Sequence, residues 1–112
     1  MNGRIDVAQE ARRDILRCMR YLANENANMP ERFLKAFEKT CKTLLDMPRM
    51  GREKNYGHVS LRGVREFPIV RFQKYLVYYR ENKGKLEVVR VLHGARDLPA
   101  IFAEEREDDV MA

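Results

Sequence analysis

The feature that most constrains the fold is a change of hydrophobic period near the middle of the chain. Ala8, Ala11, Ile15, Met19, Leu22 and Ala23 recur at helical spacing, with Glu10, Arg12, Arg13, Arg17 and Arg20 mostly off that stripe. Phe33, Phe37, Cys41, Leu44 and Leu45 form a second stripe. Between the two, "NENANMP" (Asn24 to Pro30) breaks the pattern, because asparagine leaves helices readily and Pro30 suits a first helical turn. Pro48 in "DMPRMG" stops the second helix, since proline cannot continue the hydrogen-bond ladder. Two helices on a short connector make an antiparallel αα-hairpin. Beyond Ser60 the period is that of strands: Leu61 to Phe67, Phe72 to Arg80 and Leu86 to Leu92 are rich in aromatic and β-branched residues. The hairpin has to bury its stripes against that sheet, which predicts an α+β domain.

Smaller signals complete the topology. Ile5 to Val7 reads as a short N-terminal strand. Pro48 to Ser60 carries no periodicity and several turn residues, and reads as a basic loop. Gly63 marks a bulge or a close backbone approach, and Pro68 fits only an edge or a bend. "ENKG" (Glu81 to Gly84) reads as a hairpin turn whose glycine takes a positive φ. Asp97 caps a short C-terminal helix with Pro99 in its first turn and Leu98, Ile101 and Phe102 packing back on the sheet. The expected order is β-α-α-β-β-β-α, the helical hairpin lying on a small twisted antiparallel sheet. Residues 1–103 make a single domain and 104–112 an acidic tail.

The 112 residues suffice for one core without disulfide or metal. The two cysteines, Cys18 and Cys41, fall on apolar helical faces and belong to no Cys/His cluster, so no zinc site is expected. In the hairpin Cys18 lies opposite about residue 37 and away from Cys41, which predicts two buried free thiols. No apolar run approaches the roughly 18 residues of a membrane span, and a cytoplasmic location is expected. The net charge of +5 points to an anionic partner, either nucleic acid or an acidic protein.

Two kinds of chemistry fit the cations. Metal-free RNA cleavage needs a base for the 2′-OH, a cation at the phosphorus oxygens and an acid for the leaving oxygen. Glu53 or His58 can serve as base, Arg65 or Arg71 as clamp and His93 as acid. The other reading is a docking surface for an anionic partner made of Arg62, Arg65, Arg71, Lys74 and Tyr75. Each has a plainer alternative: arginines on the wet face of a sheet, and a hydrogen-bonded histidine closing a strand beside Gly94. Arg62 and Arg65 differ by an odd step, so they project to opposite faces unless Gly63 carries a bulge. Phe67, Phe72, Tyr75, Tyr78 and Tyr79 read as core rather than base-stacking residues. No RNP-like or helix-turn-helix pattern accompanies them, so direct sequence-specific DNA binding is not expected.

"LRGVREFPI" (Leu61 to Ile69), "YLVYYRE" (Tyr75 to Glu81), "VVRVLHGARDL" (Val88 to Leu98) and the P-x-x-G at Pro48 to Gly51 resemble, in order, the toxins of the RelE/ParE superfamily. The likeness runs from about Ala8 to Phe102, and "GVRE" and "RVLHGARD" look more like the ParE branch. The resemblance implies a helical hairpin against a twisted antiparallel sheet. It implies the toxin of a type II toxin–antitoxin pair, of the kind tied to plasmid stabilisation, which inhibits DNA gyrase by direct binding. It also implies a ParD-like antitoxin that folds a flexible C-terminal segment over the toxin. The ribonuclease branch has an arginine early in its third strand, where Tyr75 falls here, and a tyrosine or histidine–tyrosine pair near its end, where Gly94 follows His93. Those departures favour a binding-type toxin with no catalytic residues, metal or cofactor. The alternatives are a ribosome-dependent mRNA endoribonuclease using Arg65, Arg71 and His93, and an interaction module that binds antitoxin without toxicity.

Overall fold

A computed structural model describes residues 4–94 and residue 101 of the chain. The elements are β1 (Ile5–Val7), α1 (Gln9–Ala23), α2 (Met29–Asp46), β2 (Arg52–Glu53), β3 (Arg65–Ile69), β4 (Phe72–Asn82) and β5 (Lys85–His93), with single 3-10 turns at Pro48–Met50 and Val59–Leu61. This is the expected α+β arrangement of an N-terminal strand and two helices packed on a sheet. The helix stripes bury Ala11, Ile15, Cys18 and Leu22 from α1, and Phe33, Ala36, Phe37, Cys41 and Leu44 from α2. Pro30 occupies the first turn of α2, and Met47 leaves helical geometry just before Pro48.

The sheet order is β1-β5-β4-β3-β2. Strands β2 to β5 pair antiparallel, as expected, but β1 joins the outer edge of β5 in parallel, with Ile5 opposite Leu86 and Val7 opposite Val88. The sheet is therefore mixed. A parallel pair needs a long crossover, and here the helical hairpin lies within it. A three-residue strand with no hairpin partner leaves no trace of its direction in the hydrophobic pattern. The Pro48 to Ser60 stretch is more ordered than a loop, since Arg52 and Glu53 pair with Glu66 and Arg65. Strand β3 begins at Arg65 rather than Leu61, because Gly63 adopts φ +81° and turns the chain just before it. Pro68 sits past the end of β2, where no neighbouring strand requires its missing N–H. Lys83 and Gly84, at φ +53° and +80°, form the two-residue β4–β5 loop whose right-handed twist suits a hairpin.

Alternation along β4 divides the interior in two. Tyr75, Val77 and Tyr79 face the helices, together with Ile69, Leu86, Val88 and Val91. Tyr78 faces the other way, into a smaller cluster with Leu61, Val64 and Leu92. That second face is not left wet: the segment before β3 folds over it, and Ile101 packs there too. Cys18 and Cys41 are both buried and free. Burial lifts their thiols from 9.0 to about 11 and about 12. Among the described residues no helix is long and apolar enough to cross a membrane. The expected C-terminal helix, apart from Ile101, and the acidic tail lie outside the described residues.

Candidate partner-binding surface

Arg65 is committed to the fold. Its Nη1 donates to the Gly51 carbonyl at 2.9 Å and its Nη2 to Glu53 Oε2 at 3.3 Å. The same glycine donates its N–H to Tyr79 Oη at 2.8 Å, and that hydroxyl donates to the Pro48 carbonyl at 2.7 Å. A Cβ on Gly51 would collide with Tyr79 Oη and come within 2.7 Å of its Cε1, so only glycine fits here. The P-x-x-G motif is thus a joint. It turns the chain out of α2, over the Tyr79 hydroxyl and under the Arg65 guanidinium. Burial pushes the Tyr79 hydroxyl above its ordinary pKa.

Tyr75 and His93 do come together. They are register partners on β4 and β5, and their rings meet edge-on with centroids 5.4 Å apart. Gly94 then donates its N–H to the Lys74 carbonyl at 2.6 Å, holding the end of β5 against β4. Tyr75 is 8% exposed and also makes an edge contact with Phe33 at 5.2 Å, so its ring belongs to the core as much as to any surface. One side of it opens to a cleft of about 290 Å³, shared with Cys18, Tyr21 and His93.

The other cations are dispersed. Arg62 is exposed after the Val59–Leu61 turn, so strand parity does not set its direction relative to Arg65. His58 accepts the Ser60 N–H on Nδ1 at 3.1 Å within that same turn. Lys74 is exposed on β4. Arg71 sits at φ +67° in the two-residue β3–β4 turn, at the opposite end of β3 from Arg65.

Of the residues considered for RNA cleavage, Glu53 and Arg65 meet, whereas Arg71 and His93 lie away from them. Arg65 pairs in register with Tyr79 and His93 with Tyr75, a separation of roughly 13 Å along β4, and β3 and β5 flank that strand roughly 10 Å apart. Among the described residues no three His, Cys, Asp or Glu side chains cluster as a metal site needs.

Sequence reasoning missed one buried charge pair. Arg90 donates from Nε to Asp14 Oδ2 at 2.7 Å and from Nη2 to Oδ1 at 2.9 Å, and the Val91 N–H adds a 3.0 Å bond to Oδ2. Asp14 and Arg90 are only 2% and 5% exposed. A register shift between β4 and β5 at Tyr78/Tyr79 sets Arg90 opposite Tyr78 but Val88 opposite Tyr79, leaving Val89 as the extra residue. Such a bulge re-aims a side chain, here Arg90 toward α1. The available signal was Asp14 itself, a carboxylate lying between Ala11 and Cys18 at helical spacing on the buried stripe.

Comparison with curated proteins finds no match. The family model described as the ParE toxin of type II toxin-antitoxin system, parDE, matches residues 5–98 of the 112, from β1 past the end of β5. The chain belongs to that ParE toxin family.

Proposed function

We propose that this chain acts by binding rather than by cleaving: it inhibits DNA gyrase through direct contact in the cytoplasm and is neutralised by a ParD-like antitoxin. Membership of the ParE toxin family makes it the toxin of a type II toxin–antitoxin pair, with an antitoxin as partner. The observation that carries the binding reading is the use of Arg65. A phosphate clamp has to present its guanidinium to substrate, yet both ends of this one are occupied by Gly51 and Glu53. His93 stands across the sheet from it, against Tyr75. The net charge of +5 suits an acidic partner segment that folds as it binds.

The test is purified toxin added to gyrase supercoiling reactions and, separately, to translating ribosomes. Cleaved DNA accumulating with intact message is expected. Message cut within codons while supercoiling proceeds normally would replace this reading with the ribonuclease one. Full growth of cells that express the chain without antitoxin would leave an interaction module.

A further inference from the structure

We infer that the groove between α2 and the β3–β4 turn is the docking site of an acidic amphipathic peptide segment; resting on the toxin–antitoxin reading above, we assign that segment to the antitoxin. The groove encloses about 720 Å³. Arg32, Lys35 and Lys39 line it from α2 and Arg71 from the turn, with Val70 and Phe72 between them. No carboxylate is among its lining residues. Among the described residues the only ion pair of these four cations is Lys35 with Glu31, at 3.2 Å and about three-quarters exposed on both sides. A pair so placed contributes little and yields easily to a better partner.

The groove is built rather than incidental. The Val70 N–H donates to Thr40 Oγ1 at 3.1 Å, and that buried hydroxyl donates to the Ala36 carbonyl at 2.8 Å. The turn is thereby latched to α2 with Val70 held 38% exposed at its tip. Arg71 occupies the left-handed region at φ +67°, which disfavours a residue with a side chain by about 1–2 kcal/mol. Glycine fits this position without strain, and the residue present instead carries a cation into the groove.

The pattern also selects the occupant. Arg32, Lys35 and Lys39 follow helical spacing along one side of α2, over roughly 10 Å of axis. A partner helix with carboxylates at the same spacing meets each of them. Its aliphatic side chains cover Val70 and Phe72, which a phosphate backbone alone would leave wet.

The test is calorimetric titration of the full-length cognate antitoxin into the toxin at low and high salt. Lys39→Glu should weaken binding roughly tenfold or more and flatten its salt dependence. Arg71→Gly should weaken binding several-fold while the melting temperature stays level or rises, because it removes the cation and the strain together; Arg71→Lys should keep most of the affinity. Lys85→Glu, the same charge change at the start of β5 beside the distant β4–β5 loop, should leave affinity unaltered. Antitoxin bound with wild-type affinity by both Lys39→Glu and Arg71→Gly would overturn the groove and leave the toxin–antitoxin pairing standing. An antitoxin that does not bind the wild-type chain would overturn both. Tighter binding of a DNA duplex than of antitoxin, or self-association abolished by Arg71→Gly, would assign the groove to another occupant and equally overturn it.

Discussion

Arg90 on β5 holds Asp14 on α1 through two hydrogen bonds of 2.7 and 2.9 Å, with both side chains almost wholly buried. The contact fixes the first helix to the sheet at one point and in one rotation, since the carboxylate also accepts the Val91 N–H. A buried pair of this kind has modest net worth, but breaking it strands a charge in the core. Asp14→Ala should therefore destabilise the fold by about 3–5 kcal/mol. Replacing both partners with apolar residues of similar volume should cost much less than the sum of the single changes. Urea titrations of the two single variants and the double variant read this directly. Additive losses would mean that the pair is not the unit.

The helical half of the fold was legible because its signals are long and periodic: two stripes, a proline near each end of α2, and a connector of asparagines. The hairpin turn was legible for a local reason, the positive φ at Gly84. What escaped is what depends on distant partners. The direction of β1 is set by pairing with a strand some eighty residues later. The bulge that turns Arg90 toward Asp14 is a property of two strands together, and neither carries a proline or glycine there to announce it. Among the site residues, Arg65 was found as a prominent cation. Its commitment to Gly51 and Glu53 emerges only when the P-x-x-G turn meets the sheet.

Gly51 and Tyr79 should behave as a coupled pair. Gly51→Ala drives a methyl group into the Tyr79 ring, with a loss of about 1–3 kcal/mol. Tyr79→Phe removes the hydroxyl that bridges Pro48 and Gly51, leaving a buried N–H unpaired for about 1–3 kcal/mol. With the hydroxyl gone, part of the collision goes with it. Gly51→Ala should then be milder in the Tyr79→Phe background than in the wild type, and thermal melts of all four proteins give the sign of the coupling.

Arg65 and His93 should separate stability from toxicity. Arg65→Ala removes the bond to the Gly51 carbonyl and loosens the β2–β3 pairing beside it. It should lower the melting temperature, and toxicity should fall only as far as the folded protein is lost. His93→Ala, at the exposed end of β5, should leave both nearly unchanged. Measuring growth arrest against soluble toxin level distinguishes the cases. A stable His93→Ala protein without toxicity would return that residue to a direct role.

The thiols give the pH dependence its sign. Folding raises Cys18 to about 11 and Cys41 to about 12 from 9.0, chiefly because burial disfavours the thiolate. The folded chain thus keeps these protons after the unfolded chain has released them. Their contribution to stability is intact below about pH 9, the unfolded value, and is lost as pH rises toward and through the folded values. Burial raises Tyr79 as well, which steepens the decline in the same direction. At about pH 8 both cysteines of the native protein should react with iodoacetamide orders of magnitude more slowly than in urea. A Cys41→Ala variant should lose less stability between neutral and strongly alkaline pH than the wild type does. Equal losses in the two proteins, or rapid alkylation of the native chain, would show that these thiols are not held in the core as the structure places them.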